Sequence, residues 1–302
     1  MVTAVRKNKR VFQTGSMQRS STEFRVACEL VRNGRIGKIK RVHVGLVGVN
    51  WTKDPLAPDG EPPAELDYDM WLGPAPARPY NKQRVHYFFR FFWDYSGGQM
   101  TNWGAHHLDI TQWALGMDES GPVEITGTGE FDPQKRFEVP SAFGITYRYA
   151  NGVVVECRSP TPKVASLIPE QKEHALEVLD GKADFTGCIF EGEKGLLYVN
   201  RGVIRVWPED VFETPLKDDD VRLYKSTSQH QNWLECIRTR KLPICDVEIG
   251  HRSATVCHLG NIAIRTGRKL QWDPVKATIV GDAEAARMTT KEYRAPWKLP
   301  KV

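Results

Sequence analysis

Residues 143–158 read FGITYRYANGVVVECR and decide the fold of this chain. Apolar and aromatic side chains alternate with smaller or polar ones on both sides of Asn151-Gly152, which is the period of a strand with one buried face. Asn and Gly both tolerate the positive φ angles of a two-residue hairpin turn. The stretch therefore predicts two antiparallel strands, Phe143–Tyr149 and Val153–Arg158.

Further strands of the same character extend this hairpin in both directions along the chain. A second tight turn is indicated at Asn200-Arg201-Gly202. Strands joined in succession by short turns are typical of an antiparallel meander. The additional predicted strands are Lys40–Val49, Val123–Phe131, Cys188–Glu191, Leu196–Val199 and Val203–Trp207.

Three segments have apolar residues at helical spacing. The first, Ser20–Asn33, has Ser20 or Ser21 as its N-cap and Gly34 just past its end. The second is Ser228–Arg240 and the third is Gly250–Thr266. We predict an α+β fold: a large, mostly antiparallel open sheet with helices on one face. The side chains expected to face inward are Trp233, Leu234 and Ile237 in the second helix, and Ala254, Cys257, Leu259 and Ile262 in the third.

The amino-terminal region predicts a strand followed directly by a helix. Val11–Gly15 has the character of a short buried strand, yet neither a GxGxxG motif nor a βαβ unit precedes it. We expect residues 1–19 to be the remnant, the last strand–helix, of a truncated dinucleotide-binding (Rossmann) domain. Residues 20–302 would form a second domain. The proline-rich segment Trp51–Arg84 has the length of a lid or binding loop, and the tail Tyr293–Val302 is expected to lie extended across the surface.

Composition argues against several classes of function. The 302 residues carry a net charge of +5, and their one short basic cluster, Arg6–Arg10, lacks the interleaved aromatic residues of a nucleic-acid binder. No apolar run approaches the ~18 residues that span a bilayer, and Met1 leads into a polar, basic segment rather than a secretory signal. We predict a cytoplasmic protein that binds neither nucleic acid nor membrane. An export signal would have to lie upstream of Met1.

Metal binding is also not expected. None of the six cysteines forms a CxxC pair, and no HExxH occurs. Two groupings of potential ligands lack the spacing typical of zinc. They are His106, His107 and Asp109, and the set Cys245, His251, Cys257 and His258.

The segment Ser96–Asp109, SGGQMTNWGAHHLD, carries the candidate chemistry. In a helix that begins near Thr101, Asn102 and His106 stand four residues apart on one face, and Asp109 follows one turn later. An amide, an imidazole and a carboxylate are costly on a core-facing helix. They suit a site that holds and deprotonates an alcohol, because imidazole is the side chain that titrates nearest neutral pH.

This segment resembles the catalytic-helix motif of the glucose–fructose oxidoreductase / inositol dehydrogenase (Gfo/Idh/MocA) family. The resemblance covers essentially the whole chain, because several long blocks agree in order. It implies an NAD(P)-dependent oxidoreductase of a sugar, polyol or related carbohydrate, incomplete in this chain. The other matching blocks are VFQTGSMQRSS (11–21), ELVRNGRIGKIKRVHV (29–44), WLGPAPARPYNKQRVHYFFRFFWDYSGG (71–98) and PICDVEIGHRSATVCHLGNIAIRTGRKLQWDP (243–274).

The resemblance also implies roles for residues near the catalytic helix. His106 matches the motif histidine, which takes the hydroxyl proton while hydride moves to the nicotinamide. Asn102 stands where the family has an aspartate, and the lysine of the family's Glu-Lys-Pro motif has no counterpart here. Gln18 and Arg19 fall where the family lines the junction between nicotinamide and substrate. The cofactor would be NAD or NADP, bound mostly outside this chain.

Further residues are assigned to the substrate, whose hydroxyls need donors and acceptors. They are Arg84, His86, Asp94 and Tyr95 in the aromatic loop, and His107 and Asp109 on the helix. For His107 a structural hydrogen-bond role stays open, and for Asp109 a helix-capping role. The resemblance further implies that residues 20–302 form the family's C-terminal substrate-binding and oligomerisation domain. The chain would then be a homodimer or homotetramer that associates through the sheet face.

Two other functions remain open. One is an NAD-dependent glycosidase that works by transient oxidation, elimination and re-reduction, within the range of the same family. The other is a non-catalytic carbohydrate-binding or assembly module, because most of the dinucleotide-binding half is missing.

Overall fold

The fold is built on one open nine-stranded sheet in the order β7-β6-β5-β1-β4-β3-β2-β8-β9. The computed structural model describes residues 1–51 and 54–301. Every neighbouring pair except β1–β4 is antiparallel, so the mostly antiparallel open sheet is confirmed. The strands are β1 (Ile39–Gly45), β2 (Glu124–Glu130), β3 (Ala142–Arg148), β4 (Val154–Ser159), β5 (Gly187–Gly192), β6 (Leu196–Asn200), β7 (Val203–Trp207), β8 (Leu270–Asp273) and β9 (Thr278–Val280).

The hairpin at the centre of the sheet forms as its sequence predicts. Strands β3 and β4 pair from Phe143 opposite Ser159 to Arg148 opposite Val154. In the turn, Gly152 has φ +88°, and the Asn151 side chain accepts a hydrogen bond of 3.1 Å from the Val153 amide. This register turns Tyr147 and Val155, both fully buried, to the same face of the sheet.

The predicted meander is interrupted by β1. This strand lies parallel to β4 and antiparallel to β5, so it separates strands that are neighbours in sequence. Its side chains Val42 and Val44 are buried in the main core. Periodicity gives the character of a strand but not its partner, and the parallel pairing joins residues more than 100 positions apart.

Three helices, α2, α5 and α9, contribute to the core that covers one face of this sheet. Two short helices, α6 and α7, pack on the opposite face at the end formed by β5 and β6, against Ile189 and Leu196. Helices therefore lie on both faces at that end. The helices of the described residues are α1 (Val2–Lys7), α2 (Thr22–Arg32), α3 (Tyr68–Leu72), α4 (Gly98–Asn102), α5 (Gly104–Leu115), α6 (Val164–Leu167), α7 (Lys172–Val178), α8 (Gln229–Thr239), α9 (Val247–Thr266) and α10 (Ala283–Arg287).

Helix α9 packs very closely on the sheet. A Cβ on Gly260 would stand 2.4 Å from the Tyr147 hydroxyl oxygen, so no larger residue fits there without displacing the ring. That hydroxyl donates to the Val256 carbonyl at 3.1 Å. Of the side chains predicted to face inward, Cys257, Leu259 and Ile262 are buried, whereas Ala254 is exposed.

Helix α8 is oriented differently from the prediction. Trp233, Leu234 and Ile237 are exposed by about 41%, 42% and 38%, so the expectation that they face the core is wrong. The buried side is held by polar contacts instead: the Asn232 side chain accepts from the Ile244 amide at 3.0 Å and donates to the Tyr224 hydroxyl at 2.9 Å. An apolar stripe predicts a buried face only where a neighbouring element exists to cover it.

The amino-terminal segment does not form the predicted strand at Val11–Gly15. Helix α1 comes first, and the following segment makes one isolated bridge, between Gln13 and Asp246. Next to that bridge, the Thr14 amide donates to the Cys245 carbonyl at 2.9 Å. A strand needs a continuous partner, and here only one bridge forms. A short 3-10 helix, Met17–Ser20, then leads into α2.

The long proline-rich segment and the carboxyl-terminal tail contact each other. The segment contains α3, and Thr52 and Lys53 of the predicted loop lie outside the described residues. Arg294 in the tail donates to the Gly73 carbonyl at 3.0 Å and to the Asp69 carboxylate at 2.7 Å. The tail thereby fixes the segment against the body of the protein.

A buried ion-pair network connects the amino-terminal segment to two helices of the main layer. Arg19, whose side chain is 1% exposed, makes two hydrogen bonds of 2.9 Å to the Asp109 carboxylate of α5. It also donates to Asp118 at 2.7 Å. Ser253 of α9 donates to Asp109 at 2.6 Å. Burial alone would lower the pKa of Arg19, but the charges of Asp109 and Asp118 outweigh it and raise that pKa, so the guanidinium is charged.

Replacing this arginine tests how much the network contributes to stability. Arg19→Met leaves the buried Asp109 carboxylate without its guanidinium partner, which typically costs about 3–5 kcal/mol. We expect a loss of that size in the free energy of unfolding from urea titrations. The matched control is Arg205→Met, because Arg205 pairs with Asp180 at the surface, where such pairs contribute about 0–1 kcal/mol. Equal losses in the two variants would contradict the assignment.

Candidate functional site

Gly97 and Gly98 bend the chain where it enters α4, and both pack closely against other parts of the protein. Gly98 has φ +68°, and a Cβ on it would lie 2.9 Å from Val139. A Cβ on Gly97 would lie 2.3 Å from the side-chain nitrogen of Asn261, which donates to the Gly97 carbonyl at 2.9 Å. Both positions therefore require glycine for packing against α9 and the loop that holds Val139.

The predicted single helix is two helices, α4 and α5, joined at Trp103. The backbone amides of His106 and His107 both donate to the Trp103 carbonyl, at 3.0 and 3.1 Å, which tightens the junction. Asn102 therefore ends α4, and His106 lies in the first turn of α5. The side-chain nitrogen of Asn102 donates to Gln99 at 3.0 Å, and Gln99 donates to the Gly48 carbonyl at 2.6 Å.

His106 is half-buried and contacts residues from distant parts of the chain. The side chain of Gln18 donates to the His106 carbonyl at 3.3 Å and accepts from the Arg201 guanidinium at 3.2 Å. Burial, assisted by the positive charge of Arg201, lowers the pKa of His106. The imidazole is therefore neutral at neutral pH and can accept a proton. Its buried Nδ1 has no hydrogen-bond partner among the described residues.

Arg201 is a residue of this candidate site that sequence reasoning missed. It lies in the β6–β7 turn, with its guanidinium 4.5 Å from the centre of the Trp103 ring. The preceding Asn200 accepts from the Arg201 amide at 2.8 Å and donates to Thr186 at 3.0 Å. The predicted tight turn placed Arg201 at a turn, but an arginine in a turn is normally solvated, so only the three-dimensional contact with Trp103 identifies it.

A cavity of about 470 Å³ lies at the edge of the sheet where β1 and β4 end and β5 begins, and its lining includes neither His106 nor Arg201. Gly48 and Thr186 both line it. Gly48 is hydrogen-bonded to Gln99, and Thr186 to Asn200, as described above. Two hydrogen-bonded chains, one through Asn102 and one through Arg201, therefore connect the rim of this cavity to the catalytic-helix region. We call the group formed by His106, Asn102, Gln18 and Arg201 the His106 cleft.

His107 and Asp109 point into the protein and not into the cleft. His107 is fully buried and its ring lies 5.7 Å from that of Trp103, in a stacked arrangement. Burial, with the charge that His106 carries once it is protonated and the charge of Arg201, lowers the pKa of His107 to about 3, so the ring is neutral at neutral pH. Asp109 is held by Arg19 and Ser253. These positions do not fit the substrate contacts expected for His107 and Asp109, or the cofactor contact expected for Arg19.

The remaining predicted substrate residues lie elsewhere. Arg84 is buried and donates to the Pro79 carbonyl at 2.8 Å, which does not fit a substrate contact. His86, Asp94 and Tyr95 line a second cavity, of about 910 Å³, whose lining includes neither Asn102 nor His106. The structure thus brings Gln18, Asn102 and His106 together but does not bring the aromatic-loop residues to them.

Groups that could hold a metal or a dinucleotide are few. Within residues 1–51 and 54–301, no group of three or more His, Cys, Asp or Glu side chains has the geometry of a metal site. For a nicotinamide, the His106 cleft offers the guanidinium of Arg201, which is exposed. Gln18 is buried, and both ends of its amide are hydrogen-bonded within the protein. The 302 residues contain no GxGxxG loop for the phosphates. In the described part of the chain, no helix is both long and apolar enough to cross a bilayer.

Two solved structures with a similar fold are described as an oxidoreductase and a dehydrogenase. An aldose-aldose oxidoreductase from Caulobacter crescentus, complexed with glycerol, is 17% identical and has a TM-score of 0.57. The comparison covers 89% of this chain and 66% of that one. The WlbA dehydrogenase from Bordetella pertussis, in complex with NADH and UDP-GlcNAcA, is 17% identical with a TM-score of 0.58, over 90% and 67% of the two chains. This chain thus spans about two thirds of the length of these proteins.

The sequence itself identifies the family. No curated protein sequence matches the chain. A family model described as the C-terminal alpha/beta domain of an oxidoreductase family matches residues 21–165 and 174–299. Because that match covers most of the 302 residues, the chain belongs to the Gfo/Idh/MocA oxidoreductase family and carries its C-terminal alpha/beta domain.

Proposed function

We propose that this chain supplies the proton-accepting histidine and the substrate-binding surface of an NAD(P)-dependent oxidoreductase that acts on a sugar, polyol or related carbohydrate. The observation that carries the proposal is His106: a half-buried imidazole in the first turn of α5, near Gln18 and Arg201, whose lowered pKa keeps it neutral. The relative crystallised with NADH and UDP-GlcNAcA supports a nicotinamide cofactor and a sugar substrate.

In this mechanism His106 takes the proton of a substrate hydroxyl. A bound nicotinamide would accept hydride from the carbon that bears this hydroxyl. As the hydroxyl proton moves to the imidazole, the hydrogen of the C–H bond leaves with both bonding electrons as hydride. The carbon and oxygen then form a carbonyl. The contribution of the chain is the position of the imidazole and its unprotonated state, which are what general-base catalysis requires.

Asn102 has a positioning role in the proposal. Its amide nitrogen is engaged by Gln99, which fixes the amide orientation and leaves the amide oxygen as an acceptor. An amide oxygen can accept a hydrogen bond from a sugar hydroxyl, but an amide does not accept and pass on a proton at neutral pH. Asn102 would thus orient the hydroxyl, and proton transfer would rest on His106 alone.

Arg201 contributes in two ways. Its charge disfavours protonation of His106, so the base form persists to lower pH than for an isolated imidazole. Its guanidinium is held over Trp103 and against Gln18, and its remaining N–H groups can donate to substrate oxygens. Gln18, which contacts both His106 and Arg201, is the residue that we assign to the junction between cofactor and substrate.

We predict that His106→Ala in the native enzyme reduces oxidation by about 10²–10⁴-fold, the usual contribution of a general base, while NADH binding is unchanged. The activity would first be found by screening sugars and polyols with NAD and NADP at 340 nm. His230→Ala is the matched control, because His230 is exposed on α8. Full turnover by the His106 variant would remove this residue from the mechanism.

The same screen separates the alternatives. Release of nitrophenol from aryl glycosides without net NADH formation would identify the oxidation–elimination glycosidase. Failure to bind NADH, together with failure to turn over any substrate, would favour the non-catalytic module. Net reduction of the cofactor by a free sugar or polyol is the result that we expect.

We predict that Arg201→Gln raises the pKa of His106. The sign follows from the charge: a nearby cation destabilises the protonated imidazole, so its removal lets the ring keep its proton to higher pH. The acid limb of the kcat/KM profile should therefore move to higher pH. An NMR titration of the His106 ring checks this without a substrate. Arg205→Gln, which changes an exposed arginine of β7, should leave the titration unchanged.

We also propose that the chain associates with copies of itself through the sheet face opposite α2, α5 and α9. On that face His43 of β1 lies between Glu156 and Glu191, at 3.5 and 3.3 Å, and Arg41 and Arg158 adjoin Glu156. Ordered ionic groups of this kind suit a specific contact. Sedimentation velocity is expected to give the mass of a dimer or tetramer, and a monomer at micromolar concentration would contradict this part of the proposal.

A further inference from the structure

The second cavity lies apart from the His106 cleft and has no role in the proposed hydride transfer. It measures about 910 Å³, near the upper end of the range of ligand pockets. One wall comes from residues 71–95 and the other from α9, α10 and the carboxyl-terminal segment up to Tyr293. An aromatic cluster that includes Phe91 and Phe137 packs beside the first wall.

The two walls are fastened to each other by hydrogen bonds. The Lys291 ammonium donates to the backbone carbonyls of Trp93 and Asp94. Arg294, just beyond the cavity, donates to Gly73 and Asp69 as described above. The contacts that hold the two walls together join segments about 200 residues apart in sequence. The protein itself therefore fixes the shape of the cavity.

Aromatic side chains give the cavity surfaces that suit a sugar ring. Trp71 and Tyr95 pack edge-to-face with ring centres 4.9 Å apart, and Phe89, Trp93 and Tyr293 also line the cavity. The Tyr95 hydroxyl is buried and lies near the hydroxyl of Tyr68. Flat aromatic faces cover the C–H faces of sugars, and a tyrosine also supplies a polar group.

The cations that line the cavity have fewer ion-pair partners than the lining carboxylates have. Of the three lining carboxylates, Asp94 pairs with Arg78 at 3.0 Å and Glu284 with Arg268 at 2.9 Å, so only Glu292 has no such partner among the described residues. By contrast, Arg265, Arg287 and Lys291 all line the cavity, and none of them forms an ion pair within residues 1–51 and 54–301. The excess of unpaired cations favours an anionic ligand.

We propose that this cavity is a second carbohydrate site that binds an acidic saccharide through its carboxylate. The aromatic walls would hold the sugar rings, and Arg287 and Lys291 would hold the carboxylate. A volume of about 910 Å³ accommodates more than one sugar unit. A carboxylate fits better than a phosphate, because Glu292, the lining carboxylate without an ion-pair partner among the described residues, would repel a second negative charge. The inference does not depend on the redox function of the His106 cleft.

The test measures binding of two disaccharides that differ only at one carbon. Cellobiouronic acid carries a carboxylate where cellobiose carries a hydroxymethyl group. By calorimetry on the full chain, we expect the acid to bind at least about tenfold more tightly than cellobiose, because a charge-assisted hydrogen bond is lost with the neutral sugar. Arg287→Gln should remove most of this difference while leaving cellobiose binding unchanged.

Three further variants make the result specific to this cavity. Trp71→Ala should weaken binding of both disaccharides about tenfold, whereas His106→Ala should weaken neither. Arg205→Gln removes an equally exposed charge outside the cavity and should have no effect. Arg287 is exposed, so its variant is expected to fold even if the Trp71 variant does not.

The proposal is overturned if the two disaccharides bind equally, or if His106→Ala abolishes binding and Arg287→Gln does not. Glucose 6-phosphate is the third probe. Tighter binding of this phosphate than of the uronic acid would overturn the assignment to a carboxylate. Weaker binding of the phosphate, with the acid still sensitive to Arg287, supports it.

Discussion

The position of the His106 cleft depends on the buried ion pair between Arg19 and Asp109. A charged guanidinium inside a core is stable only if its donors are satisfied, and here two carboxylates satisfy them. This requirement fixes the 3-10 helix that carries Arg19 against α5, and Ser253 extends the network to α9. Because Gln18 precedes Arg19 directly, its side chain is delivered to the first turn of α5, where it contacts His106.

The cleft is therefore assembled from segments that the network and the sheet hold in place separately. Asn102 and His106 come from the α4–α5 junction, Gln18 from the amino-terminal segment, and Arg201 from the β6–β7 turn. The turn reaches the junction because β6 lies in the same sheet that α5 covers. Arg201 then stacks on Trp103 and adds the charge that, after burial, lowers the pKa of His106.

Sequence reasoning succeeded where structure is local and failed where it depends on distant partners. The hairpin at Asn151-Gly152 and the limits of α2 follow from nearby residues. The insertion of β1 between β4 and β5 depends on pairing across more than 100 positions. The aromatic loop is held by Lys291, about 200 positions away, and the stripe of α8 is exposed because no neighbouring element covers it in the described part of the chain. Asp109 looked like a site residue because a carboxylate on a core-facing helix is costly. The ion pair with Arg19 offsets the cost of burying this carboxylate, but sequence spacing does not identify Arg19 as the partner of Asp109.

The burial of Asp109 bears on where the proposed reaction sends its proton. With Asp109 bound by Arg19 and an amide at position 102, no carboxylate forms an ion pair or hydrogen bond with His106 among the described residues. A relay through a carboxylate is thus absent from the part of the cleft that this chain provides. A lowered pKa makes the imidazolium a stronger acid, so the proton can pass to water at the exposed edge of the half-buried ring. The cation at Arg201 would therefore both keep His106 unprotonated before reaction and favour release of the proton afterwards.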